Sequence, residues 1–183
     1  MRIAVLGPDG SGRTTLAKSL AENHSDINYL YLGQDETKRH YRWGESLIKS
    51  KLFRKKRFNL IRLLLITIND WVEFRTARGS IKIIDQCAFD SFASDEGRPK
   101  KSYMLSKFLL LFYPRPDLIL FLDGDPDLIS RRNPTFNPEN IASQIASYKE
   151  IIGNYGVDYR SIDTTKNSVE QSNKLALDHI LND

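Results

Sequence analysis

Residues 2–22 run from Arg-Ile-Ala-Val-Leu through Gly-Pro-Asp-Gly-Ser-Gly-Arg-Thr-Thr into a segment of helically spaced apolar residues. Residues 2–6 form an apolar run led by one basic residue, the pattern of a strand buried on both faces. Gly7, Gly10 and Gly12 then permit a tight, bare loop whose backbone N–H groups can face an anion. From Thr14 to Glu22, residues Leu16, Ala17, Leu20 and Ala21 share one side of a helix. A strand, a glycine loop and a helix N-terminus in succession bind phosphate, because unpaired N–H groups and the helix dipole converge there. Residues 7–15 fit the phosphate-loop pattern G-x-x-x-x-G-K-[ST] at every fixed position but one. Arg13 stands where the pattern has lysine. A glycine-rich turn without a ligand is the plainer alternative.

Composition narrows the class. The chain has 183 residues, enough for one domain with a proper core. With 40% hydrophobic and 27% charged residues it reads as a soluble globular protein. Its one cysteine, Cys87, rules out an internal disulfide framework and suits a reducing cytoplasm. Cys87 reads as a small buried residue beside a strand end. The three histidines, at 24, 40 and 179, are too scattered for a metal cluster. A core strand at the N-terminus leaves no signal peptide, and no apolar run approaches bilayer length. The net charge of +4 is uneven, with residues 49–62 strongly basic. That stretch suits an anionic partner, or is simply a solvated helix start or loop.

The remaining pattern alternates strands and helices. Strands are expected at Asn28–Leu32, Ile81–Asp85, Asp117–Asp123 and Val157–Ile162. Helices are expected at Phe58–Arg78 (stopped by Gly79), Tyr103–Phe112, Pro126–Arg132, Ile141–Ile152 and Ser168–Leu181, the last capped by Ser168. Polar Gly33–Arg42 reads as a loop over the site, and Asn133–Asn140, rich in Pro and Asn, as a mobile loop. Such alternation implies a parallel sheet covered on both faces, with ligands beyond the carboxyl ends of its strands. The glycine loop, Asp85, Asp123 and the pair Arg131 and Arg132 then converge on one crevice.

These segments together resemble the thymidylate-kinase-like branch of P-loop kinases, over nearly the whole chain. Residues 7–15 are similar to that family's Gly-x-Asp-Gly-x-Gly-Lys-[Ser/Thr]-Thr. Ile83-Ile84-Asp85-Gln86 sits where the family has two apolar residues, Asp and Arg. Residues 114–123, Pro-Arg-Pro-Asp-Leu-Ile-Leu-Phe-Leu-Asp, resemble its Pro-Asp-Leu strand, continued by Asp125-Pro126. Arg131-Arg132 falls at the start of its lid, placed here around 131–140. Tyr148 matches a later tyrosine, and residues 161–165 its final strand and adenine loop. In place of the Arg-Glu-Pro-Gly-Gly of true thymidylate kinases, residues 29–35 are Tyr-Leu-Tyr-Leu-Gly-Gln-Asp. In that respect the chain looks closer to members associated with bacterial surface polysaccharides.

The resemblance implies a three-layer α/β/α P-loop kinase fold with a five-stranded parallel sheet, in one domain spanning 1–183. It implies ATP and Mg²⁺, and phosphoryl transfer to a small-molecule or sugar-type acceptor, or to a nucleoside monophosphate. Gly7, Gly10, Ser11, Gly12, Arg13, Thr14 and Thr15 would cradle the phosphates, with Arg132 and Thr164 also on the nucleotide. Thr14 and Asp85 would hold the metal ion, and Asp85 is alternatively the base for the acceptor or a strand-end cap. Asp9 and Arg75 would face the acceptor. Arg131 and Arg132 would close on the transferring group, or else merely complement a helix dipole. Asp123 reads as structural. An anionic or lipid-linked acceptor near 49–62 and a homodimer are compatible expectations, and nucleic acid is not expected as a partner. Two departures from the family pattern bear on turnover. Arg13 carries a planar fork where the family has lysine's point charge, and Gln86 removes a cation. A nucleotide-binding protein with a weak site is therefore the alternative.

Overall fold

Strand β1 (Arg2–Leu6) lies at the centre of the sheet, and its side chains divide between two cores. Successive strand residues point to opposite faces. Ile3 and Val5 therefore join one buried cluster, and Ala4 and Leu6 the other. The structure is a computed structural model and describes residues 1–32, 72, 80–87, 89–90 and 115–182. The expectations for Gly33–Arg42, the basic stretch 49–62, the helix Phe58–Arg78 with Arg75 and Gly79, and the helix Tyr103–Phe112 lie outside those residues.

The other described elements are α1 (Arg13–Asn23), β2 (Ile27–Tyr31), β3 (Ile81–Asp85), β4 (Leu118–Asp123), α2 (Pro126–Arg132), α3 (Pro138–Tyr155), β5 (Tyr159–Asp163) and α4 (Val169–Leu181). All strand pairings are parallel, in the order β2-β3-β1-β4-β5. Ile3 stands opposite Ile83 on one side and Leu118 on the other. Helices α1 and α4 cover one face through Leu16, Ala17, Leu20, Ala176 and Ile180. The other face is covered by α2 and α3 through Ile129, Ile141, Ile145, Tyr148, Ile151 and Ile152. This is the expected three-layer α/β/α arrangement on a five-stranded parallel sheet. In β4 every residue from Leu118 to Leu122 is at most 1% exposed. Each such side chain contributes on the order of 1.5–3 kcal/mol by burial.

Several boundaries differ from the sequence reading. Asn133–Asn140 is not wholly a loop, because Asn137 accepts the Asn140 N–H at 2.8 Å and Pro138 opens α3. Proline at the first helical position costs nothing, since that N–H has no helical acceptor. The same helix runs past Ile152 to Tyr155 and stops at Gly156, whose φ of 64° is left-handed. The last strand starts at Tyr159 rather than Val157, which instead packs against the core beside α3. Among the described residues no helix is long and apolar enough to cross a membrane.

Candidate functional site

The carboxyl ends of β1, β3, β4 and β5 meet around the N-terminus of α1. Asp125, Asn137 and Ser168 cap α2, α3 and α4 through their side chains, and each of these helices has an acid in its first turn. Helix α1 has neither a side-chain cap nor an acid there. Its N-cap is Gly12, with φ 91°, and the first helical bond runs from the Leu16 N–H to the Gly12 carbonyl at 2.9 Å. The leading N–H groups at Arg13, Thr14 and Thr15 thus lack helical acceptors and keep the positive end of the dipole. An external anion is the partner such an end suits.

A cavity of about 450 Å³ opens beside this loop. Of the residues expected on the nucleotide, Gly10, Ser11, Gly12, Thr15, Arg132 and Thr164 line it, and Gly7, Arg13 and Thr14 do not. Asn167 and Ser172 join them without having been foreseen, since neither belongs to a recognisable motif. The Ser11 hydroxyl is buried and has no hydrogen-bond partner among the described residues. Arg132 donates to the Thr164 carbonyl at 2.8 Å, fixing the guanidinium against the loop after β5. Its neighbour Arg131 is exposed and does not line the cavity.

That last loop is organised by Asp163. Its carboxylate accepts from the Thr165 N–H at 2.9 Å, the Thr165 hydroxyl at 2.6 Å and the Lys166 N–H at 3.1 Å, and pairs with the Lys166 ammonium at 3.0 Å. Burial works against the ionised form, but the bonds from Thr165 and Lys166 outweigh it and hold the carboxyl at about 2. A depressed carboxyl pKa gives stability that is present above the unfolded value and lost as pH falls through the folded one. Urea midpoints should therefore fall between about pH 4 and pH 2. Asp163→Asn should flatten that part of the profile, and an unchanged acid slope would refute the assignment.

On the other side of the glycine loop lie the acids. Asp85 is fully buried at the end of β3. One of its oxygens, Oδ2, accepts from the Thr14 hydroxyl at 2.8 Å and the Tyr29 hydroxyl at 3.0 Å. The other, Oδ1, is buried and has no hydrogen-bond partner among the described residues. A bare buried carboxylate oxygen beside a threonine hydroxyl and a phosphate loop is a donor set that fits Mg²⁺. Among the described residues no cluster of three or more His, Cys, Asp or Glu forms a metal cage.

Arg13 behaves differently from a lysine at this position. Its side chain is 8% exposed and does not line the cavity. Nη2 donates to Asp9 at 2.8 Å, while Nη1 reaches Asp90 and the Tyr148 hydroxyl, the latter at 3.3 Å. Tyr148 itself donates to Asp90. Burial alone would lower the Arg13 pKa, but the facing Asp90, Tyr148 and Asp9 raise it. Burial also pushes the Asp90 carboxyl up, against the pull of Arg13, and together with Asp90 it keeps the Tyr148 hydroxyl protonated well above its usual range. Asp90 was missed in the sequence. Its only signal there is an acid shortly after the strand that ends in Asp85. Gln86 has φ 53° and accepts from the Tyr31 hydroxyl at 2.8 Å. Asp123, expected to be structural, accepts the Gly124 N–H at 2.8 Å and pairs with the Lys149 ammonium at 2.7 Å.

No family model matches the chain, and no curated protein matches it. Solved structures do. A thymidylate kinase from Candida albicans, whose structure is described as revealing the origin of broad substrate specificity, superposes with a TM-score of 0.73 at 21% identity, over 99% of this chain and 91% of its own. A deoxyadenosine kinase from M. mycoides, with the products dCMP and a flexible dCDP bound, gives 0.63 at 11% identity, over 100% and 99%. At such identities the likeness is one of fold, and the fold is that of the P-loop kinases. Neither neighbour is a surface-polysaccharide-associated protein, so that narrower resemblance gains no support.

Proposed function

We propose that this chain is a P-loop phosphotransferase that takes the terminal phosphoryl group of ATP and passes it to a small-molecule acceptor. The observation that carries this reading is the pairing of Thr14 and Asp85, with a bare carboxylate oxygen, at the uncapped start of α1. A loop that merely turned the chain would have no use for a buried, half-satisfied carboxylate, which is costly to keep.

The roles follow from the geometry. The N–H groups of Gly10, Gly12, Arg13 and Thr14 would hold the donor phosphates, with the Ser11 hydroxyl as a further donor. Arg132, held by Thr164, would lie against the nucleoside in the cavity. Thr14 and Asp85 would hold Mg²⁺, which supplies charge neutralisation on the phosphate oxygens when bound. Asp9 would stand on the acceptor side of the loop. There it would orient an acceptor hydroxyl or phosphate oxygen, because this chemistry needs placement more than covalent help. The acceptor is a sugar-type molecule or a nucleoside monophosphate, and the second fits the two structural neighbours at least as well.

A second reading, nucleotide binding with weak transfer, rests on Arg13, whose guanidinium is engaged by Asp9 and Asp90. Both are tested by incubating the full chain with γ-labelled ATP, with and without Mg²⁺, over nucleoside monophosphates, nucleosides and sugars. Mg²⁺-dependent labelling of one acceptor class is expected. Labelling of none, although calorimetry shows ATP to bind, would leave the weak-site reading. If the wild type transfers and Arg13→Lys does not improve it, the weak-site reading fails.

A further inference from the structure

Arg13 is the one cation of the phosphate loop, and its charge is already matched from within the protein. Its fork bridges three parts of the chain: Asp9 in the loop, Asp90 after β3 and Tyr148 on α3. Two carboxylates therefore face one guanidinium. They are not equivalent. Asp9 has a side chain 41% exposed, where water screens the pair. Asp90 is only 19% exposed, and Tyr148 fixes its orientation by donating to the same oxygen that Arg13 reaches. The Asp90 contact is thus the stronger half of the clamp. A lysine could not replace the fork, since a compact ammonium cannot span carboxylates arriving from separate segments in the same way.

We propose that Asp90 is a positioning residue acting through Arg13: its carboxylate competes with the donor polyphosphate for the Arg13 guanidinium and so sets nucleotide affinity. This rests on the reading that the loop binds ATP. A bound triphosphate gains the Arg13 charge only by drawing the fork away from Asp90. A hydrogen bond to a charged group is strong enough that this competition should shift affinity by about tenfold. The arrangement would spread Arg13 between two uses, tying the loop to α3 when the site is empty and holding phosphate when it is filled.

A merely structural Asp90 makes the opposite forecast, because loosening the loop from α3 would weaken binding whatever stands at position 13. Calorimetric titration of ATP into the full-length chain separates the two. Asp90→Asn should bind ATP about tenfold more tightly than the wild type. In an Arg13→Gln background the same exchange should change nothing, since the guanidinium through which Asp90 is proposed to act is gone. Asp9→Asn, at an exposed position that tolerates change, should give a smaller gain of roughly two- to threefold, again only with Arg13 present. It decides the matter if Asp90→Asn does not fold. Equal or weaker binding in the foldable variants, or the same shift in the Arg13→Gln background, overturns the proposal while leaving nucleotide binding intact. Absence of ATP binding in the wild type and in every variant removes the nucleotide reading itself, and this proposal with it.

Discussion

Asp85→Asn should lower phosphoryl transfer by on the order of 10²–10³-fold while leaving the fold as stable as before, or slightly more stable. The two halves of this result have one cause. Asp85 is fully buried, its Oδ2 bonded to Thr14 and Tyr29 and its Oδ1 bare. A buried carboxylate oxygen with nothing to accept from costs on the order of 1–3 kcal/mol. Asparagine keeps the shape and can still accept from Thr14 and Tyr29, but it removes the negative charge. If the carboxylate were there for the fold, losing it would destabilise the protein. If it is there for a cation and a phosphoryl group, losing it relieves the cost and abolishes the Mg²⁺ dependence of ATP binding. Thermal unfolding, calorimetry with and without Mg²⁺ and the transfer assay report on the three quantities separately. Transfer within tenfold of the wild type, with the Mg²⁺ dependence kept, would remove Asp85 from the site.

Much of the frame was legible because buried parallel strands are written as apolar runs. Residues 2–6, 81–85 and 118–122 cannot be mistaken once flanked by glycine, acid or proline. The cap Ser168 was equally readable, since a cap acts within three residues of itself. Asn137-Pro138 obeys the same rule, but it sits in a stretch of further prolines and asparagines that imitates a loop. Arg131 and Arg132 looked like a pair. Neighbours on a helix point about 100° apart, so only one of them can face the cavity. The cluster around Arg13 was hidden for a different reason. Asp90 and Tyr148 lie 77 and 135 positions away in sequence, and only the crossing of three elements brings them to one guanidinium. Sequence showed that position 13 was unusual, and the fold shows what its side chain does instead.

The strongest steric demand in the site lies at its first residue. A Cβ on Gly7 would stand 2.5 Å from the Leu122 carbonyl oxygen and 2.8 Å from the Ser11 hydroxyl, at φ 154°. The carbonyl belongs to β4, which is held between β1 and β5, and cannot retreat without breaking the ladder with them. Gly7→Ala should therefore destabilise the fold by about 3 kcal/mol, at the upper end of what single exchanges do. For a chain of this length that lowers the melting temperature by roughly 6–12 °C. Gly156→Ala is the control. It has φ 64°, but its Cβ would meet nothing within 4 Å, so only the left-handed backbone strain of about 1 kcal/mol remains. The difference between the two exchanges isolates the close approach of the loop to β4 from the preference of glycine for its backbone angles. ATP binding should fail in Gly7→Ala even below its melting temperature, because the Ser11 hydroxyl and the N–H groups beyond it are displaced together. Equal losses of stability at the two positions would mean that the loop can shift away from β4. The phosphate cradle would then be a pliable turn and not a preformed site.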